Sequence, residues 1–242
     1  MNSSRCHLRP RRRRRGLVHP NRFTRTRDTH TTFEHTVGAL RDNGRVTSRP
    51  ADDLNRYLRG HVFVDETKTK DYVVAAATLP ASEVTQARKA LRGLLLPRQD
   101  RIHFAKEKAL RDLFREPAQD AYRDRVLHVM RGLEVQVTLY IARTKDQRAG
   151  RAACLTAVVE DVLKDRATHL VIERDESLVR SDLELISDLL YPVTDKPAYR
   201  LEVPRSEPLL WISDAVCWCH QRGGRWIDAA RPLVVDVRQL VV

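Results

Sequence analysis

Long apolar runs are missing from this sequence: nowhere do its 242 residues approach the ~20 consecutive apolar positions that a membrane-spanning helix needs. Near the N-terminus, Leu17-Val18 is the only apolar pair beside the arginines. The h-region of a secretory signal is therefore missing as well, and the chain reads as cytoplasmic, with no membrane partner. Cysteine is scarce. Cys6, Cys154, Cys217 and Cys219 are too few and too scattered for a disulfide scaffold. Cys217-Trp-Cys219-His220 contains zinc-type ligands, but no second Cys/His cluster accompanies it, and helical residues two apart point to different faces. Ordinary semi-buried cysteines are the expectation there. Nor is there an internal repeat, so the length accommodates one well-buried domain with an appendage, or two small domains.

What the chain has in excess is arginine, and the excess is local. The net charge is +12, yet residues 1–60 hold 15 arginines, no lysine and five acids, an excess of ten. The remainder of the chain is almost balanced. Residues 1–50 show neither helical nor strand periodicity, and their apolar residues are too sparse to offset the entropy of ordering. A disordered basic arm over 1–58, with an unbroken run from Arg11 to Arg15, would bind phosphate backbones in a salt-sensitive way. A tail without function, or a wrongly chosen upstream start codon, accounts for the same composition.

From residue 60 the pattern becomes regular. His61 to Asp65 and Tyr72 to Thr78 are β-rich runs around a polar turn, which predicts a hairpin. Pro80-Ala-Ser82 introduces a helix with Ser82 as N-cap and Val84, Ala87, Leu91 and Leu94 on one stripe. Helices are predicted over 118–132, 150–166, 179–190 and 208–222. Strands are predicted over 134–142, 168–173 and 199–203. Strands alternating with helices imply a mixed α/β sheet with helices packed on it. The tail after Asp228 suits an extra edge strand or a dimer contact.

Three acidic positions stand where a regular apolar element meets its polar end. Asp65-Glu66 closes the first strand, Glu173 closes the fourth with Asp175 just beyond, and Asp214 sits among Trp211, Ala215 and Trp218 in the last helix. A carboxylate on an apolar helix face is costly to bury without compensation. Carboxylates converging from separate elements repel one another, and a divalent cation removes that conflict. Magnesium suits the role because it prefers oxygen ligands, and paired ions serve phosphodiester cleavage. Taken singly, each acid has a plainer reading: turn residues at Asp65-Glu66, an exposed ion-pair cluster at 173–175, a solvent edge at Asp214.

His61-Val-Phe-Val-Asp-Glu-Thr67 followed by Tyr72-Val-Val-Ala-Ala-Ala resembles the opening of the domain-of-unknown-function 3800 family, classed with the ribonuclease H-like nucleases. Arg101-Ile-His-Phe-Ala-Lys-Glu107, Leu170-Val-Ile-Glu-Arg174, Asp182 and Leu210-Trp-Ile-Ser-Asp-Ala215 resemble later motifs of that family, in order, over about residues 60–225. Thr67-Lys68 departs from its usual Ser-Gly, and Trp211 and Ser213 from its usual glutamine and alanine. The resemblance implies a ribonuclease H-like mixed sheet flanked by helices over 59–228, followed by an extension over 229–242. It implies a nuclease using Mg2+, or Mn2+ in its place, on RNA or DNA. Asp65 would bridge the metals and Glu66 would be a ligand or orienter. Glu173 and Asp214 would complete the set, with Asp182 a reserve ligand and Asp175 a weaker one. His103 would orient water or contact phosphate, and Lys106, Lys108 and Arg111 would line the substrate path. Two other classes fit the same sequence: a catalytically inactive ribonuclease H-like protein that binds nucleic acid, and an α/β protein that binds a partner protein through residues 98–125.

Overall fold

A computed structural model of the protein describes residues 57–68, 71–105 and 115–242, all within one unit, Ser48–Val242. The arm expected over 1–58 lies outside the described residues up to position 56, and so do Lys106, Lys108 and Arg111. The hairpin is β1 (His61–Thr67) and β2 (Tyr72–Leu79), antiparallel with His61 opposite Leu79 and Thr67 opposite Val73. Helix α1 (Val84–Arg92) follows, then α2 (Glu116–Arg131) and β3 (Gln136–Ala142), which is antiparallel to β2. Two β-and-helix units come next: α3 (Gln147–Lys164), β4 (His169–Glu173), α4 (Val179–Leu190) and β5 (Ala198–Glu202). The chain finishes with α5 (Leu210–Arg222), the short α6 (Arg225–Ala230) and β6 (Val234–Leu240).

Among the described residues six strands form one sheet, ordered β5-β4-β1-β2-β3-β6. β4 runs parallel to β1, β5 parallel to β4, and β6 parallel to β3 at the opposite edge. Of the two roles considered for the C-terminal tail, it takes that of edge strand. Alternation within the strands divides the core in two. Phe63, Ala75, Leu139 and Val171 face one side, which α1, α2 and α5 cover. Val62, Val64, Tyr140 and Ile172 face the other, covered by α3 and α4. This is the mixed α/β sheet flanked by helices expected from the sequence. No helix among the described residues is long and apolar enough to cross a membrane.

Element ends depart from the sequence reading for local reasons. Ser82 is not an N-cap: residues 81–83 form a turn first, Glu83 takes the cap position without a side-chain bond, and the Ser82 hydroxyl turns to Glu83. Helix α2 starts earlier than apolar periodicity suggests because Pro117 fits a first helical turn. Helix α3 also starts early, where the Asp146 carboxylate accepts from the backbone N–H groups of Arg148 and Ala149.

Helix α3 lies unusually close to the sheet at Gly150. A Cβ there would come 2.8 Å from Tyr72 Cβ and 3.0 Å from Thr144 Cγ2. Gly150→Ala should therefore cost ~1–3 kcal/mol through overpacking, read as a lowered urea midpoint with an unchanged m-value.

On the opposite face, a buried acid fixes the start of α5. Arg88 of α1 grips Glu207 through Nε–Oε1 at 2.9 Å and Nη2–Oε2 at 2.5 Å, and Arg200 of β5 adds a contact at 3.2 Å. His61 lies in this neighbourhood, its ring stacked 4.0 Å from that of His169. Burial, with help from His169, Arg88 and Arg200 and against Glu207, lowers the His61 pKa to about 4. The unfolded chain then binds the proton more readily between about pH 4 and 6.5, so stability falls as pH drops through that window. In urea titrations from pH 7 to 4.5, His61→Gln should show a shallower acid loss than the parent. Identical slopes would remove His61 as the cause.

Candidate active site

Parity along β1 decides which face each acid takes. Phe63 packs on the α5 side and Val64 on the α3 side, so alternation sends Asp65 toward α5 and Glu66 toward α3. On β4, Val171 faces the α5 side, which puts Glu173 on the same face as Asp65. The strands are parallel with Val64 opposite Ile172. One further step sets Asp65 beside Glu173 at the ordinary strand spacing of ~4.8 Å. Asp214 arrives from α5, which is seated over the end of β1. Its neighbour Ser213 donates a hydrogen bond to the Phe63 carbonyl at 2.8 Å, and the Cys217 thiol approaches the Asp65 carbonyl at 3.7 Å.

Asp65, Glu173 and Asp214, together with Glu66 and His103, line one cleft of about 790 Å3. Asp65 forms its floor and is only 4% exposed. Burial raises its pKa well above the usual carboxylate range, and a hydrogen bond with Glu173 and the charges of Glu173, Asp214 and Glu66 push the same way. Burial and three neighbouring acids thus all favour the neutral form of Asp65. Asp214 is fixed by the loop before the undescribed segment: its Oδ2 accepts from Phe104 N at 3.0 Å and lies 3.2 Å from His103 Nδ1.

Glu66 belongs to a different set of contacts. Facing α3, it pairs with Arg151 at 2.5 Å and with Lys68 at 3.2 Å. The Lys68 ammonium also reaches Asp175 at 3.1 Å. Asp175 is held to about 2, chiefly by the Ser177 hydroxyl and then by Lys68, so it stays ionised at the rim.

Asp182, a reserve ligand on sequence grounds, does not join the cleft. It is buried under α3, where Arg151 Nε and Nη2 clamp both its oxygens at 2.8 and 2.7 Å. The cause is the face it occupies: α4 packs on the α3 side of the sheet, away from α5. Lys106 and Arg111, expected along the substrate path, lie outside the described residues, whereas His103 lies in the cleft wall.

Each acid is thus engaged by an internal partner. Among the described residues no group of three or more His, Cys, Asp or Glu is arranged to hold a metal ion. The cysteines of the Cys217-Trp-Cys219 stretch are buried, and burial pushes both thiols up, Cys219 to about 12, which favours protonated, inert side chains over thiolate ligands.

Sequence reasoning missed Arg151 and Lys68. Both read locally as solvated charges, and only the fold brings Arg151 to Asp182, 31 residues away, and Lys68 to Asp175, 107 away.

No family model and no curated protein matches the chain. Among solved structures it is similar to a chain of the PCNA:RNase HII complex from Archaeoglobus fulgidus, at 10% identity and a TM-score of 0.41, over 72% of this chain and 76% of that one. It is also similar to Bst-RNase HIII in complex with Mn2+, at 14% identity and a TM-score of 0.36, over 75% of this chain and 58% of that one. Both are distant likenesses.

Proposed function

We propose that this chain is a metal-dependent nuclease that hydrolyses phosphodiester bonds of RNA or DNA, and that it belongs with the domain-of-unknown-function 3800 proteins its motifs resemble. The observation that carries the reading is the meeting of Asp65, Glu173 and Asp214, from β1, β4 and α5, in one cleft with the Asp65 carboxyl buried at its floor. The donor types suit a hard divalent cation, three carboxylates from separate elements, although as they stand, each held by an internal partner, they are not arranged around one. Asp65, Glu173 and Asp214 would hold Mg2+ or Mn2+, and the bound ion supplies the charge neutralisation and Lewis acidity that phosphodiester hydrolysis requires.

The remaining work falls to the chain's own residues. The His103–Asp214 contact uses Nδ1, so Nε2 of the imidazole is left for a phosphate oxygen or for the proton of the attacking water. Arg151 draws Glu66 toward α3 and so keeps its charge off the face shared by Asp65 and Glu173. Because the Asp65 pKa is raised, a cation held there would compete with a proton, and its affinity would rise with pH.

Cleavage of labelled RNA and DNA strands, with Mg2+, with Mn2+ and with EDTA, tests the reading. The expected result is turnover with either ion, none with EDTA, and none with Asp214→Asn. Turnover that survives EDTA and Asp214→Asn rejects it. One observation favours a second reading, a catalytically inactive protein that binds nucleic acid: Lys68 bridges Glu66 and Asp175 and is a fixed cation at the rim of the cleft. That version predicts salt-sensitive binding with no turnover under any metal.

A further inference from the structure

One wall of the cleft carries a different chemistry from its floor. Asp214, Trp218 and Arg222 follow at four-residue steps along α5, so they form a single stripe, and all three line the cleft. With a rise of 1.5 Å per residue, the indole lies ~6 Å and the guanidinium ~12 Å along the helix axis from the acid.

Trp218 is unlike the chain's other tryptophans. Trp211 and Trp226 are buried, at 1% and 5% exposure, and belong to the core. Trp218 is half-buried, and its uncovered part opens into the cleft. Its ring is braced from behind: Phe104 meets it edge-on at 5.5 Å, Trp226 does so at 4.9 Å, and the Arg123 guanidinium sits 5.0 Å from its centroid. Arg123 is itself tied to the Phe104 carbonyl and to Asp120. An aromatic ring held this firmly loses little freedom when a ligand packs on it. Arg222 is exposed and forms no ion pair with a described residue, whereas its neighbours Arg123 and Arg225 are both committed to Asp120.

We propose that Trp218 and Arg222 form a ledge for an unpaired stretch of nucleic acid, with a nucleobase packed on the indole and the adjoining phosphate held by the guanidinium. This rests on the nuclease reading, because it places the ledge one and two helical turns from the acid expected to act on the scissile phosphate. It names the substrate class as single-stranded. In a duplex the base faces are covered by their neighbours in the stack, so a side chain on a cleft wall meets a base face only where pairing has been lost. The guanidinium contributes a contact that carries no sequence preference.

The test uses the full-length Asp65→Asn protein in Mg2+, so that the strand stays uncut while tryptophan fluorescence is followed. The titrants are a short oligothymidylate and a blunt duplex of the same length. Saturable quenching by the single strand, with little by the duplex, is expected, and Trp218→Phe should lose that quenching. Trp218→Ala should weaken single-strand binding roughly tenfold, as removal of one base-stacking side chain does. Arg222→Gln should reduce the slope of log affinity against log salt by about one. Circular dichroism establishes that each variant is folded, and Trp218→Phe carries the test if the alanine variant is not. Equal quenching by duplex and single strand, or quenching unchanged in Trp218→Phe, overturns the proposal. The two readings fail separately. Wild-type protein that gives the single-strand quench but cuts nothing loses the nuclease reading and keeps the ledge. Protein whose Trp218→Ala variant cuts with the wild-type rate and strand preference keeps the nuclease reading and loses the ledge.

Discussion

Asp65→Asn is expected to abolish metal-dependent cleavage, by a factor on the order of 10^3 or more, while leaving the protein folded. A metal ion at a phosphodiester contributes several kcal/mol to transition-state stabilisation, and each ~1.4 kcal/mol is a factor of ten in rate. An amide in the centre of the carboxylate set loses one anionic ligand and with it most of that contribution. Folding should respond in the opposite sense. Asp65 is buried against Glu173, Asp214 and Glu66, and its pKa in the folded chain lies well above its unfolded value near 3.8. The folded state therefore binds this proton more tightly than the unfolded state. The stability it contributes is fully present below about pH 4, and it is lost as pH rises through the raised folded value. Asparagine does not titrate. In EDTA, the urea midpoint of the variant should stay level across the window in which the wild type declines, and at neutral pH the variant should be at least as stable. Cleavage within tenfold of wild type would remove Asp65 from the site, and a variant that unfolds at neutral pH would show that its carboxyl is structural.

The centre of the sheet was legible because β1, β2 and β4 are short and apolar on both faces. Helix α4 was predicted over the residues it occupies, since Ile186 and Leu190 mark its inner stripe plainly. Boundaries were less legible where a turn or a cap sets them: the first turn of α3 is polar, and Asp146 rather than hydrophobic period starts it. The acids of the cleft were legible for a simple reason. A carboxylate at the end of a buried strand, or on the covered side of a helix, is out of place unless something is done with it. Assigning the acids to sides was beyond local pattern. β1 is apolar on both faces, so parity separates Asp65 from Glu66 without saying which of them faces α5. Asp182 shows the same limit. Resemblance alone singled it out, and a metal ligand and an ion-pair partner look alike until the arginine opposite is known. Trp218 and Trp211 both flank Asp214 in the sequence, but only Trp211 is fully buried. Trp218 lies about two turns further along the helix and lines the cleft.

Arg151→Met should be the most destabilising single change outside the apolar core, by ~3–5 kcal/mol, because it leaves buried acid unpaired. Arg151 is 4% exposed and its guanidinium serves three partners: both oxygens of Asp182, one oxygen of Glu66 and the Tyr72 hydroxyl, which accepts at 2.9 Å. Burial works against its charge, but these partners outweigh burial and hold its pKa above the ordinary arginine value. Methionine fills much of the same volume and supplies no donor. Of the two acids stranded, Asp182 has the harder position: it is 2% exposed and Arg151 supplies both of its ion-pair contacts, whereas Glu66 keeps Lys68. Most of the cost should therefore reside at Asp182, and Arg151→Met combined with Asp182→Leu should recover more than half of it, since replacing a buried pair with apolar groups is often close to neutral. Urea denaturation of the two single variants and the double variant measures the coupling directly. If Arg151→Met costs less than ~1 kcal/mol, the network is not the strut between α3, α4 and the end of β1 that its distances imply. If the double variant is stable but Glu66 swings toward Asp65, the urea midpoint will be restored while the decline in stability above pH 4 steepens. That combination would identify Arg151 as the group that keeps a fourth negative charge away from the floor of the cleft.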